Sequence, residues 1–142
     1  MSQYHIYVEL PRNRMMHGKL WLLNASGSVE KGPYECYGKA DNQIAIAHNN
    51  QKRDPTLPFG DHPLGTYKVV NIQHGKQPAH SYGPFFVLLE PKYGAALVAK
   101  AHGRVGLAFH GGDLNASGFM RPTEGCLRLK NEDITEIAAL IE

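Results

Sequence analysis

Two side chains near the carboxyl end could together perform covalent chemistry. Cys126 sits in the run Thr123-Glu124-Gly125-Cys126-Leu127-Arg128, and His110 opens the His110-Gly111-Gly112 turn upstream of it. A free thiol has a pKa of about 8.5 and is only slightly ionised at neutral pH, so a nucleophilic cysteine needs a base or a cation beside it. His110 is the nearest upstream imidazole, and the glycines after it would let the backbone bend back toward Cys126. Gly125, lacking a side chain, would let the amides of Glu124, Gly125 and Cys126 crowd a substrate carbonyl as an oxyanion hole. Arg128, two residues past the thiol, falls on the same side of an extended segment and could grip a substrate carboxylate in bidentate fashion. The chemistry expected is attack of an activated thiol on a substrate carbonyl.

The remaining candidates have plainer readings. Cys36 lies between tyrosines with no His-Gly partner and reads as a small core residue. His48, His62, His80 and His102 read as surface or cleft residues. Eight histidines and a cysteine could in principle bind a metal, but no local pair has zinc-like spacing, so no metal and no cofactor are expected. Trp21 and the remaining aromatics read as core.

The elements that must position these groups are mostly strands. Residues 3–10 alternate, with Tyr4, Ile6 and Val8 on one side and His5, Tyr7 and Glu9 on the other. Residues 19–24 form a second short strand before an Asn-Ala-Ser-Gly turn, and the two are expected to pair as a hairpin. Residues 41–63 are polar and broken by proline, asparagine and glycine, an excursion expected to roof the site. Residues 66–73, 85–90, 95–99 and 106–109 are further strand candidates. Only residues 132–142 have helical spacing, with Ile134, Ile137, Ala138 and Ile141 in one stripe and Asn131 as the expected N-cap.

With 142 residues, 42% hydrophobic and 20% charged, the chain is expected to form one domain, residues 1–142, with a real core. Fifteen glycines and nine prolines favour a sheet-rich fold over a helical bundle. A formal charge of +2 without a dense Lys/Arg run argues against nucleic acid, and no apolar run is long enough to span a membrane.

The spacing around Cys126 resembles the L,D-transpeptidase catalytic domain, the YkuD-type family. In it a His-Gly element precedes a Ser/Thr-x-Gly-Cys-hydrophobic-Arg element, matched here by His110-Gly111 and by Thr123 to Arg128. Asn131-Glu132-Asp133-Ile134 is similar to the helix start that follows that box. His62-Pro63-Leu64-Gly65-Thr66-Tyr67 is similar to an upstream Thr-Pro-x-Gly-x-Phe element, and Tyr82-Gly83-Pro84-Phe85 to an aromatic strand before the histidine. Glu124 stands where the family often has histidine.

The resemblance implies a mainly β fold, a β-sandwich or barrel with a C-terminal helix. It implies Cys126 as nucleophile on peptidoglycan stem peptides, His110 as base and the Gly111 carbonyl as the group orienting the ring. Thr123, Glu124, Gly125, Arg128, Tyr82 and Phe85 would contact substrate. The acyl group would pass to a peptide amine, a D-amino acid or water, giving cross-linking, exchange or carboxypeptidase activity. A non-catalytic peptidoglycan-binding module of the same fold is the alternative. Such a substrate lies in the periplasm or cell wall, whereas Arg12, Arg14 and His17 interrupt what would be the apolar part of a Sec signal. Export by a non-Sec route, as an antibacterial effector with an immunity protein as partner, or a chain trimmed of its leader, is the expectation that reconciles the two.

Overall fold

A computed structural model describes residues 4–142. Seven strands close into a barrel: β1 (His5–Glu9), β2 (Gly18–Leu23), β3 (Val29–Tyr37), β4 (Gly65–His74), β5 (Phe85–Tyr93), β6 (Ala108–His110) and β7 (Leu127–Leu129), arranged β1-β2-β3-β7-β6-β5-β4. Every neighbouring pair is antiparallel except β6 with β7. Four helices decorate it: α1 (Asn42–Ala47), α2 (Ala79–Tyr82), α3 (Ala95–Ala101) and α4 (Asn131–Ile141).

The expected first hairpin is present. In β1 the Ile6 and Val8 side is buried and Tyr7 and Glu9 are exposed, which settles the core-facing side of that strand; Gln3, the first residue of the expected segment, lies outside the described residues. Leu20 and Leu22 of β2 join them, and each such aliphatic chain contributes about 1.5–3 kcal/mol by leaving water. The turn that ends β2 is held by Asn24, whose side-chain oxygen accepts from the Ser26 and Ser28 amides. The strand β3 is absent from the sequence reading. Its first five residues are all exposed and it carries Gly32 and Pro33, so only Tyr34 and Cys36 declare an inward face.

Two expectations are corrected. Residues 95–99 are helical, not extended: α3 follows Gly94, whose positive φ of 80° turns the chain, and its alanines and leucine are strong helix formers with Ala96 and Ala99 buried. Asn131 is also not the cap of α4. Lys130 holds that position, and the Asn131 side chain instead accepts a hydrogen bond from the Gly112 amide at 2.8 Å, tying the helix to the turn after His110. The apolar stripe of α4, Ile134, Ile137, Ala138 and Ile141, is buried as expected and joins the barrel core.

The excursion at residues 41–63 contains α1, capped by Asp41, whose carboxylate accepts from the Ile44 amide at 3.1 Å. Among the described residues, no helix is long and apolar enough to cross a membrane.

Candidate active site

The parallel pair β6 and β7 builds the site. Register pairs Phe109 with Leu127 and His110 with Arg128, so Ala108 and His110 face the same way as Cys126 and Arg128. Phe109, Leu127 and Leu129 point the other way, fully buried in the core. The two consecutive strands are thus locked by the core on one face and carry a thiol and an imidazole on the other. Both line a single open groove of about 420 Å³, together with Asp41, Lys76, Tyr82, Phe86, Arg121 and Arg128.

His110 is only 2% exposed, clamped between Phe86, stacked at 5.6 Å, and Tyr82, edge-on at 5.1 Å. Its Nδ1 lies 2.8 Å from the Gly111 carbonyl. A carbonyl oxygen can only accept, so Nδ1 carries the proton and Nε2 keeps its lone pair. Burial pulls the imidazole down to about 4, against the Gly111 bond and with the Arg128 charge, so it is neutral at pH 7.

Cys126 is a free, half-buried cysteine at the junction of this groove with a second hollow lined by Pro58, Phe59, Arg104 and Val105. Burial pushes it up to about 11; the Ala108 amide and Arg104 act in the other direction, and the exposed Glu124 adds to the rise. A thiol that is hard to ionise and an imidazole that is hard to protonate, both lining this groove, are neutral at rest. Cys36 is different: it is fully buried, its thiol pushed up to about 12, with no exposed surface.

Four neighbouring groups have contacts that the sequence does not show. Arg128 does not present its guanidinium to a substrate carboxylate. It is 3% exposed and donates to the carbonyls of Gly111 at 2.6 Å, Ser81 at 2.8 Å and Arg121 at 2.8 Å. It therefore fixes the same Gly111 oxygen that orients His110. The Gly125 amide donates to Thr123 Oγ1 at 2.9 Å, so it is spent within the turn and not offered to an oxyanion. Thr123 itself is a staple, its hydroxyl also donating to the Cys126 carbonyl at 2.6 Å. Phe85 faces away from the groove, packing on the core and on His74; Phe86, the register partner of His110, lines it. Tyr82, Thr123 and Glu124 line the groove.

Two groove-shaping cations carry no local signal in the sequence. Arg104, 4% exposed, donates to the carbonyls of Pro55, Gly60 and Asp61 in the excursion and to that of Gly125 at 3.1 Å, fastening the loop to the turn before the thiol. Lys76 stands over Tyr82 and Phe86. His62, expected in a cleft or on the surface, is fully buried and held neutral, pulled down to about 3. Among the described residues, no group of three or more His, Cys, Asp or Glu side chains is gathered for a metal.

The family model of the L,D-transpeptidase catalytic domain, YkuD, matches residues 3–142. The chain belongs to the YkuD family. That family uses a cysteine nucleophile and acts on peptidoglycan, and the seven-stranded barrel with its C-terminal helix is the fold expected of it. Among solved structures, the YkuD-family chain is similar to Bdellovibrio bacteriovorus Bd1075, with a TM-score of 0.61, 18% identity and 99% of this chain covered. It spans 45% of that chain's length, and at this identity the likeness is one of fold. No match was found among curated proteins.

Proposed function

We propose that this YkuD domain is an acyltransferase on peptidoglycan stem peptides, with Cys126 as nucleophile and His110 as general base. Cys126 Sγ attacks the carbonyl of the amide joining an L-centre to a D-residue as His110 Nε2 takes the thiol proton. The C–N bond breaks, the proton passes to the departing amine, and a thioester remains on Cys126. An amine, a D-amino acid or water then takes the acyl group, with His110 removing the acceptor's proton, and the thiol is restored.

The observation that carries the reading is the tautomer. The Gly111 carbonyl holds the proton on Nδ1, leaving Nε2 free to act as base in the groove that Cys126 also lines. A binding module of the same fold would have no need of a free thiol and an oriented, neutral imidazole in one groove. Peptidoglycan lies outside the cytoplasm, so the proposed site of action is there; fractionation that leaves all the native protein in the cytoplasm of every cell it acts on would refute this.

The test is incubation with disaccharide-tetrapeptides followed by mass spectrometry. The expected result is loss or exchange of the terminal D-residue, abolished in Cys126→Ser and reduced by two or more orders of magnitude in His110→Gln. Binding without any such product would favour the recognition-module reading.

A further inference from the structure

A hollow of about 430 Å³ shares no lining residue with the catalytic groove and is walled by cations. Arg12 and Arg14 come from the loop between β1 and β2, and Lys52 and Arg53 from the excursion. The acid in its lining, Asp61, is 6% exposed and already accepts from the Ala40 amide at 2.8 Å and from Arg53 Nε at 3.1 Å. Arg14 is braced by donating Nε to the Pro11 carbonyl and Nη1 to the His62 carbonyl, each at 3.1 Å, and Arg53 Nη1 donates to Asn42 Oδ1 at 2.6 Å. Among the described residues, the Nη2 groups of both arginines and the exposed side chains of Arg12 and Lys52 have no hydrogen-bond or ion-pair partner. Acids on the flanking strands are engaged elsewhere: Glu9 is the register partner of Lys19, and Glu35 meets His17 at 3.2 Å and Lys130 at 4.0 Å. The hollow thus concentrates positive charge in a chain whose formal total is +2.

The same loop carries two bare methionines. Met15 is 69% exposed and Met16 61%, directly after Arg14, in a turn closed by the Met16 amide on the Asn13 carbonyl at 3.1 Å. Leu64, 38% exposed, lines the hollow itself. Cations with donors to spare beside protruding apolar chains match an anionic lipid surface, where headgroup phosphates meet the cations and the apolar chains enter the boundary beneath them. A protein partner fits less well, because a stable interface buries about 800 Å² on each side, more than three apolar side chains supply. We propose that this loop and hollow dock the domain peripherally on a membrane containing anionic phospholipid. Arg12, Arg14, Lys52 and Arg53 hold lipid phosphates, and Met15 and Met16 insert at the headgroup boundary. The contact is with the membrane surface and involves no span. The catalytic groove is lined by other residues, so docking leaves its side chains unengaged.

The experiment is co-sedimentation of the full chain with vesicles of phosphatidylcholine alone or of phosphatidylcholine mixed with phosphatidylglycerol. The expected result is binding to the mixed vesicles and little to the neutral ones, weakening as salt rises. Arg12→Gln and Lys52→Gln should each weaken binding about fivefold, the scale of one cation at an anionic membrane surface. Met15→Ser combined with Met16→Ser should weaken it about tenfold through lost apolar burial. All four side chains are exposed, so Tm should stay where it is in the native protein, which separates lost docking from lost folding. Equal sedimentation with both kinds of vesicle, sedimentation with neither, or binding undiminished by the joint Arg12→Gln and Lys52→Gln change overturns the proposal. A methionine double variant that binds as tightly as the native chain overturns it too, since charge alone would then suffice. Calorimetric titration with inorganic phosphate is run alongside. Saturable binding of phosphate without vesicle binding would assign the hollow to a soluble phosphorylated ligand and refute membrane docking.

Discussion

Replacing Arg128 with Met should damage stability and catalysis together, through one shared contact. The guanidinium supplies the donors for the Ser81, Gly111 and Arg121 carbonyls, and it is nearly sealed from solvent. Each buried acceptor left without a donor costs about 1–3 kcal/mol, and relief of the buried charge's own desolvation offsets part of the total. A net loss of about 3 kcal/mol follows, a large share of a typical stability of about 5–15 kcal/mol. For a chain of this size that lowers Tm by roughly 10 °C. The Gly111 oxygen would also lose the anchor that keeps it facing His110 Nδ1, and misplacement of a catalytic group by an ångström can cost about a hundredfold in rate. Arg128 also helps pull the His110 pKa down, so its removal should move the acid limb of the rate profile to higher pH. The assay is differential scanning calorimetry with kcat against pH, taken well below the mutant's Tm; Arg128→Lys, which keeps charge but not the planar fork, should fall between. A Met variant that melts within 2 °C of wild type, or turns over at full rate with an unmoved acid limb, would refute the reasoning.

Three further outcomes are expected. Gly125→Ala should unfold at lower urea and lose most activity, because its Cβ would meet Arg104 Nη2 at 2.4 Å and the Gly60 carbonyl oxygen at 2.8 Å at a φ of +122°; an unchanged urea midpoint would contradict this. Stability should fall as pH drops from about 6.5 toward 4. The unfolded chain takes up protons there that the buried, neutral His110 and His62 refuse, and His110 alone accounts for on the order of 3 kcal/mol; equal urea midpoints at pH 7.5 and 4.5 would oppose it. In the native protein one thiol should react with a disulfide reagent, Cys126, while Cys36→Ser should lower stability by about 1–3 kcal/mol and leave thiol reactivity intact; two reactive thiols would show Cys36 to be accessible.

The chemistry-bearing residues were legible because their signal is local. Cys126, His110 and the glycines around them fall within one short stretch, and the parallel pairing of β6 with β7 does the rest. What the sequence hid was hidden by geometry. Phe85 and Phe86 are adjacent aromatics on one strand, and only register with His110 shows that the second faces the groove. Arg128 was read as a substrate ligand because side-chain parity reports direction but not occupancy; the carbonyls that saturate it come from segments brought together only by closure of the barrel. Arg104 sits among glycines with no pattern of its own, yet it joins the excursion to the turn before Cys126. For the elements, alternation served β1 well, while β3 failed the same test because most of its residues face water on both sides. The α3 segment reads as a strand because a short apolar run does not distinguish strand from helix by period alone.

The most direct test is to catch the covalent intermediate. Acid-quenched mixtures of enzyme and tetrapeptide, digested and sequenced by mass spectrometry within the first turnovers, should show the acyl portion of the stem peptide as a thioester on the peptide containing Cys126, released by hydroxylamine. Product formation in a Cys126→Ala protein, or an acyl mass carried on any other residue, would contradict the account.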